Sequence, residues 1–97
     1  MLKKKVYSNQ PQIIADLKKI GVSVLNLSRV GGGCPDILVG WQGKNILIEI
    51  KTAKGNLNDS QIEFFEQWKG PKFVCKSINE IIEIINNKKN GKQFFKL

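Results

Sequence analysis

The five residues Ile46 to Ile50, Ile-Leu-Ile-Glu-Ile, limit the possible folds more than any other stretch of this sequence. Side chains of a strand alternate between its two faces, so this run predicts a strand that is apolar and buried on both faces. Such a strand belongs to a sheet flanked by helices. Glu49 is the exception, because burying an unpaired carboxylate costs several kcal/mol. The charge of Glu49 therefore needs a partner or a function.

Length and composition indicate one small folded domain over residues 1–97, with a basic leader at 1–7 and a tail at 91–97 that we expect to be peripheral. The 41% apolar content and three prolines are typical of a chain that folds around one core. No stretch is long and apolar enough to span a bilayer, and no apolar segment follows the first lysines as in a secretory signal. We expect a soluble, cytoplasmic protein without a membrane partner.

The net charge of +8 favours a polyanionic partner, most plausibly nucleic acid, although lysines that only maintain solubility explain the charge equally well. All of the 16 basic residues except Arg29 are lysine, which favours salt-sensitive contacts with phosphate over reading of base edges. The candidates for phosphate contact are Lys3, Lys4, Lys5 and Lys54.

The sequence has no histidine and only two cysteines, Cys34 and Cys75. These numbers exclude a catalytic triad with histidine and a zinc site built from four Cys or His ligands of one chain. Lone cysteines are more often small buried apolar groups than nucleophiles. The chemistry that remains uses carboxylates, lysine and a metal ion.

Apolar spacing and capping residues predict the order helix, three strands, helix, strand, helix. The first helix is predicted to have Ile20 on its apolar face and Ser8 or Asn9 as its cap. The predicted strands begin at Val22 and at Pro35 and span 45–51 and 72–77, with a turn at 42–44. The second helix is predicted to be capped by Asn58 or Asp59, and the last helix to begin with a Ser77–Glu80 capping box. The chain is therefore expected to be an α/β domain.

Two carboxylates are predicted to meet at one end of the sheet. A hairpin between the second and third strands brings Asp36 next to Glu49, and strand alternation puts Lys51 on the same face as Glu49. Neighbouring carboxylates repel each other unless a cation lies between them, and Mg²⁺ binds few protein carboxylates together with phosphate and water. From Glu49 and Lys51 alone, an ordinary ion pair on a solvated strand face is the simpler interpretation.

The wider pattern favours the metal site. Residues 31–68, GGGCPDILVGWQGKNILIEIKTAKGNLNDSQIEFFEQW, resemble the stand-alone VRR-NUC branch of the PD-(D/E)XK nuclease superfamily. Shared features are G-x-P-D, a hydrophobic strand ending in E-x-K and an S-x-x-Q-type helix. The resemblance implies a restriction-endonuclease-like αβββαβ core, a mixed sheet flanked by helices.

The resemblance also implies roles for individual residues. Asp36 and Glu49 would bind Mg²⁺ or Mn²⁺, with the carbonyl of Ile50 as a further ligand. Lys51 would be the catalytic lysine, and Gln61 would help to position the site, unless it is a surface amide without contacts. One departure is the first helix, which lacks the glutamate that family members usually carry there; Gln10 or Gln12 would have to act in its place through an amide oxygen or a water.

The function implied is a Mg²⁺- or Mn²⁺-dependent DNA endonuclease that cuts branched DNA, such as a Holliday junction, as a homodimer. The alternatives are a nuclease-fold module that binds DNA without turnover and a general nicking nuclease. The aromatic residues Trp41, Phe64 and Trp68 fit base stacking or core burial, whereas Phe65 is assigned to the core.

Overall fold

The run around Ile46 forms a strand, and the elements around it follow in the predicted order. The computed structural model describes residues 10–87. Their elements are α1 (Gln10–Lys19), β1 (Ser23–Asn26), β2 (Ile37–Trp41), β3 (Lys44–Ile50), α2 (Asp59–Gln67), β4 (Lys72–Cys75) and α3 (Ile78–Asn86). The predictions for Lys3, Lys4, Lys5, Ser8, Asn9 and the tail 91–97 fall outside the described residues.

The four strands lie side by side in chain order, β1-β2-β3-β4. Neighbouring strands are antiparallel except for β3 and β4, which are parallel and are connected through α2. Parallel neighbours require such a crossover, because the chain must return to the same end of the sheet. The prediction of an α/β fold with a mixed sheet and helices is confirmed.

The two faces of the sheet are covered unequally. Helices α1 and α3 pack on one face, where they form the core with the inward side chains of the strands: Ile13, Leu17, Val22, Ile37, Val39, Ile46, Ile48, Phe73, Cys75, Ile81 and Ile85. On the other face, register places Leu25, Leu38 and Leu47 in one row. Leu47 is buried, whereas Leu25 is 61% exposed. Gln61 of α2 donates to Glu49, which shares the face of Leu47, so α2 lies on the β3 half of this face and the edge at Leu25 is open.

The β2–β3 hairpin is tighter than the predicted turn at 42–44. Trp41 pairs with Lys44, so only Gln42 and Gly43 form the loop. Both have positive φ, 51° and 80°, as a two-residue type I′ turn requires. The tight turn extends β3 back to Lys44, and the strands begin and end slightly apart from the predicted bounds.

Helix α1 ends at Lys19, one residue before Ile20, the last residue of its apolar spacing. The N–H of Gly21 donates to the carbonyl of Lys18 and the N–H of Val22 to that of Leu17, which is a Schellman motif with Gly21 at φ 94°. The reversal buries Val22 against Leu17 in the core, and Ile20 is left 51% exposed. The assignment of Ile20 to the apolar face of the helix is therefore wrong.

The cap of α3 also differs from the prediction. Ser77 accepts a hydrogen bond from the N–H of Glu80, as expected of an N-cap. The Glu80 carboxylate, however, accepts from the N–H of Lys76 at 2.6 Å and not from Ser77. The reciprocal capping box predicted here is therefore absent, although the helix end is still satisfied by both side chains.

Within residues 10–87, none of the helices has the length and apolar character needed to cross a membrane.

Candidate functional site

Asp36 and Glu49 come together at one end of the sheet, as predicted. The register of Ile37 opposite Ile48 continues by one step and places Asp36 opposite Glu49. The Oδ2 atom of Asp36 accepts a hydrogen bond of 2.7 Å from the N–H of Ile50. This bond ties the Asp36 carboxylate to the end of β3, next to Glu49.

Glu49 is only 2% exposed, although it carries a carboxylate. Its Oε2 atom lies 3.3 Å from Nζ of Lys51 and 3.0 Å from Nε2 of Gln61. Its Oε1 atom is buried and has no hydrogen-bond partner among the described residues. The expected ion pair with Lys51 is present, but it does not lie on a solvated face. One buried carboxylate oxygen is left for another ligand.

Ionisation of both carboxyl groups is disfavoured, mainly by burial. Burial raises the pKa of Glu49 to about 7, the charge of Asp36 adds to the rise, and Lys51 opposes it. Burial also raises the pKa of Asp36, against the lowering effects of the Ile50 N–H and of Lys51. A site in which one carboxyl group retains a proton near neutral pH is suited to accept a cation in place of that proton.

Gln61 connects the start of α2 to Glu49. The side chain of Asn58 caps the helix by accepting from the N–H of Gln61, and Oε1 of Gln61 accepts from the N–H of Asn58 at 2.9 Å. This reciprocal bond fixes the orientation of the Gln61 amide, so that its NH₂ group points to Glu49. Gln61 is thus not a surface amide without contacts, and Asn58, not Asp59, is the cap.

The loop before Asp36 packs against the same helix. Gly33 has φ 81°, and a Cβ atom there would lie 2.1 Å from the carbonyl oxygen of Ser60. Only glycine permits both this backbone conformation and this approach. The glycine of the G-x-P-D sequence therefore allows the Asp36 loop and the first turn of α2 to touch.

These groups line an open cleft of ≈ 560 Å³ at the end of the sheet. Its lining residues are Gln10, Pro11, Asn26, Ser28, Asp36, Glu49, Ile50, Lys51 and Gln61. Gln10 lies in the cleft, where its Nε2 atom is 3.5 Å from Oδ1 of Asn26. Gln12 instead donates to Asp16 one turn along α1, away from the cleft. Of the two glutamines considered for the first helix, the structure places Gln10 at the site.

Asn26 and Ser28 line the cleft but were not identified from the sequence. Oδ1 of Asn26 accepts from the N–H of Ser28 at 2.9 Å and from its hydroxyl at 2.7 Å. The available signal was Asn-x-Ser at the end of a strand, a pattern typical of turns in which the Asn side chain accepts a hydrogen bond from the backbone two residues on.

The remaining candidate residues differ in their position relative to the cleft and in their burial. Ile50 lines the cleft, and Lys54 is exposed in the turn that follows β3. Phe65 is fully buried as predicted, whereas Phe64 stacks on Trp68 with ring centres 5.4 Å apart. Trp41 packs against the core and donates from its indole to Asn86. Trp41 is therefore a packing residue, and only Trp68 of the three aromatic candidates has a large exposed surface.

The two cysteines differ in environment. Cys75 is fully buried in the core, and burial raises its pKa to about 12. Cys34 is half-buried, and burial together with the charges of Glu49 and Asp36 raises its pKa. Both remain thiols at neutral pH, so neither is suited to act as a nucleophile.

The donor set fits a hard divalent cation. Asp36 and Glu49 supply two carboxylates, and the unpartnered Oε1 of Glu49 offers a buried ligand atom. Within residues 10–87 there is no cluster of three or more His, Cys, Asp or Glu side chains that could hold a metal ion. Further ligands would therefore be backbone oxygen, amide oxygen or water, which Mg²⁺ readily accepts.

Compared with protein-family models, with curated proteins and with solved structures, the chain has no match in any of the three.

Proposed function

We propose that this chain is a metal-dependent nuclease, related to the VRR-NUC branch of the PD-(D/E)XK superfamily, that hydrolyses phosphodiester bonds in DNA. The observation that carries the proposal is the buried carboxylate of Glu49, which keeps one oxygen without a partner beside Asp36, Lys51 and an open cleft. A purely structural carboxylate at this depth would be expected to have both oxygens satisfied. The proposed core is the αβββαβ core of that superfamily.

In the hydrolysis, the oxygen of a water molecule forms a bond to phosphorus, and the bond between phosphorus and the oxygen of the leaving strand breaks. Asp36 and Glu49 would hold Mg²⁺ or Mn²⁺, with the Ile50 carbonyl as a further ligand. Such an ion supplies charge neutralisation on the phosphate and a more acidic water. Lys51, held by its ion pair with Glu49, adds positive charge next to the phosphate or takes part in proton transfer from the water. Gln61 keeps the Glu49 carboxylate in one orientation.

The proposed substrate is branched DNA, such as a Holliday junction, cut by a homodimer in the cytoplasm. A small domain has little surface for reading a sequence, and two copies related by symmetry would supply two cuts across a junction. A general nicking nuclease would catalyse the same reaction without selectivity for branched DNA. Branched and plain DNA therefore have to be compared directly.

A nuclease-fold module that binds DNA without turnover is a second candidate. The observation that favours it is the pair of carboxylates without a third, since the first helix brings the neutral side chain of Gln10 to the cleft. A neutral ligand holds a cation more weakly than a carboxylate.

Cleavage of labelled four-way junction, flap and plain duplex DNA in Mg²⁺, Mn²⁺ or EDTA tests the proposal. We expect cutting that requires the cation and that is lost in Glu49→Ala, while Glu63→Ala, on the exposed face of α2, cuts like the parent protein. Binding without cutting under every condition would favour the inactive module. Equal cutting of plain and branched DNA would favour the nicking enzyme.

Lys51→Ala tests the catalytic lysine. We expect cleavage at saturating DNA to fall by at least about a hundredfold, since general acid–base groups contribute on this order. Affinity for DNA in EDTA should change little. The matched change Lys54→Ala should do the reverse, weakening binding and sparing the rate at saturation. Cleavage that survives Lys51→Ala would refute the role of this lysine.

A further inference from the structure

Three exposed basic side chains follow strand ends at the edge of the sheet that carries the cleft. Because β1 and β3 are both antiparallel to β2, and β4 is parallel to β3, the ends of β1, β3 and β4 lie at the same edge as the start of β2. Arg29 comes three residues after β1, Lys54 four residues after β3, and Lys76 directly after β4. All three are exposed. They therefore lie along the cleft edge in the order of their strands.

The loop that carries Arg29 is fixed to the backbone of the site. The N–H of Leu27 donates to the carbonyl of Asp36 at 2.8 Å, and the N–H of Val30 donates to the carbonyl of Leu27 at 2.9 Å. Ser28, the residue before Arg29, lines the cleft. Within residues 10–87, the Arg29 side chain makes no hydrogen bond or ion pair. Its guanidinium donors therefore remain available for a ligand at the β1 side of the cleft.

Lys54 and Lys76 are brought together on the other side of the cleft. The Nζ atom of Lys76 donates to the carbonyl of Ala53 at 3.0 Å. The turn that contains Lys54 is closed by the N–H of Gly55, which donates to the carbonyl of Thr52. An ammonium group has three donors, so Lys76 can hold this turn and still contact an anion. The β3 and β4 side thus carries two neighbouring ammonium groups.

The spacing of the strands matches a short piece of one nucleic-acid strand. Neighbouring strands lie about 4.8 Å apart, so the ends of β1 and β4 are separated by about 14 Å. One strand of a duplex advances about 3.4 Å per nucleotide, so this distance corresponds to about four nucleotides. Asp36 and Glu49, on β2 and β3, lie between the two basic sides. A phosphate at these carboxylates would therefore have neighbours on each side within reach of a basic group.

The other exposed basic side chains of the described part lie at the opposite edge of the sheet. Lys18 and Lys19 end α1, which leads into the start of β1, and Lys69 precedes the start of β4. The five residues of β2 separate the two edges by about 17 Å. These three lysines provide a comparison in which the same charge is removed far from the cleft.

The cleft edge is not a uniformly positive surface. Asp59 and Glu80 occupy the first turns of α2 and α3 there, and the Glu80 carboxylate accepts from the N–H of Lys76. The three basic groups are therefore suited to contact individual phosphates and not to attract a polyanion over a distance. Positions along the edge, and not its total charge, determine where a strand would lie.

We infer that Arg29, on one side of the cleft, and Lys54 with Lys76, on the other, bind successive phosphates of one nucleic-acid strand that crosses the cleft from β1 to β4. The inference rests on the proposed function for the class of partner. These residues hold the strand across the site and take no part in cation binding or proton transfer.

The test is binding of a labelled DNA duplex in EDTA over a series of salt concentrations, with two matched triple substitutions to glutamine in the full chain. The cleft-edge triple changes the basic residues that follow strand ends beside the cleft: Arg29, Lys54 and Lys76. The control triple changes the exposed lysines of the opposite edge: Lys18, Lys19 and Lys69. Both triples lose three positive charges. Arg29→Gln alone is a further variant, because a side chain without contacts in the described part can be replaced without unfolding the chain.

We expect the cleft-edge triple to weaken binding by about tenfold or more and to lower the slope of log K against log salt by about 0.9 for each phosphate that is no longer neutralised. Arg29→Gln should account for about one of these phosphates. The control triple should change affinity by less than about twofold at 0.1 M salt, because exposed charges more than about 10 Å apart are largely screened. Equal losses in the two triples would overturn the inference in favour of net charge alone, and so would unchanged affinity in the cleft-edge triple and in Arg29→Gln.

Cleavage in Mg²⁺ separates this inference from the proposed function. A protein that shows the expected binding pattern but cuts no DNA would refute the proposed nuclease and leave the inference standing. A protein that cuts DNA but binds it equally well with either triple substitution would refute the inference and leave the nuclease standing.

Discussion

At the scale of single residues, the site is a balance between three charged groups that the fold brings together. Burial and the charge of Asp36 raise the pKa of Glu49, and Lys51 offsets only part of that rise. Burial also raises the pKa of Asp36. This environment differs from that of an exposed ion pair, in which solvent screens most of the interaction. The chemistry of these residues therefore determines both the proposed cation site and the dependence of stability on pH.

Without a divalent cation, stability should fall as pH rises from about 4.5 to 7. The pKa of Glu49 is raised from 4.5 to about 7 in the folded chain, so the folded state binds more protons than the unfolded state in this window. Above pH 7 the loss should be on the order of 3 kcal/mol, and the raised pKa of Asp36 acts in the same direction. Urea unfolding in EDTA at a series of pH values measures this loss in the free energy of unfolding. Glu49→Gln should flatten the curve, and Glu63→Gln, at an exposed position, should not.

Gln10→Glu should strengthen cation binding. The change places a third carboxylate in the cleft, where Gln10 already lies, and an added negative ligand favours a divalent cation. We expect at least about a tenfold lower dissociation constant for Mn²⁺ by calorimetry. Gln12→Glu is the matched control, since Gln12 contacts Asp16 outside the cleft. Equal effects of both changes would indicate a general effect of charge.

At the scale of secondary-structure elements, the site depends on α2 as much as on the strands. Asp36 and Glu49 are positioned by the β2–β3 pairing, whereas Gln61 arrives on α2 through the Asn58 cap. The Gly33 loop holds these two parts together by contact with Ser60. Displacing α2 should therefore disturb the site without changing any residue that is proposed to bind the cation.

Gly33→Ala should destabilise the chain by more than about 2 kcal/mol and weaken cation binding. Its Cβ atom would overlap the Ser60 carbonyl, and its positive φ adds strain of about 1 kcal/mol. Gly31→Ala separates the two effects, because Gly31 has φ 82° but no atom within 4 Å of the position that a Cβ would take. Thermal unfolding of both variants measures the difference. Equal destabilisation would show that only backbone strain matters.

The sequence predicts those elements whose signals are local. The apolar run of β3, the order of all elements and the approach of Asp36 to Glu49 follow from alternation and hairpin geometry. The exposure of Ile20 could not be predicted in this way, because the Schellman motif ends α1 before Ile20 despite its apolar spacing. Asn26 and Ser28 were missed because the end of β1 meets α1 only through tertiary packing.

At the scale of the whole molecule, the folded part and the site should be linked thermodynamically. A cation that binds only the folded state stabilises it, and its binding relieves the repulsion between Asp36 and Glu49. If the proposed cation binds there, it should restore the stability that the buried acids cost at this end of the sheet. This linkage provides a measurement that does not depend on catalysis.

Mg²⁺ at about a hundred times its dissociation constant should raise the free energy of unfolding by about 2.7 kcal/mol at pH 8. The melting temperature of the parent protein should therefore rise with Mg²⁺ concentration. Asp36→Asn and Glu49→Gln should abolish the rise, while Glu83→Gln, exposed on α3, should keep it. A rise that persists in both site variants would place the cation elsewhere.

The sequential order of the strands also has a consequence for how the chain folds. Strands β1, β2 and β3 pair with their neighbours in sequence, whereas β4 can join only after the chain has passed through α2. Pairings between nearby segments close shorter loops and form faster. We therefore expect the three-stranded meander to form first, with Asp36 and Glu49 already adjacent and Gln61 not yet in place. At that stage water still screens the two acids from each other, so the cost of placing them side by side arises only when α2 arrives and covers Glu49.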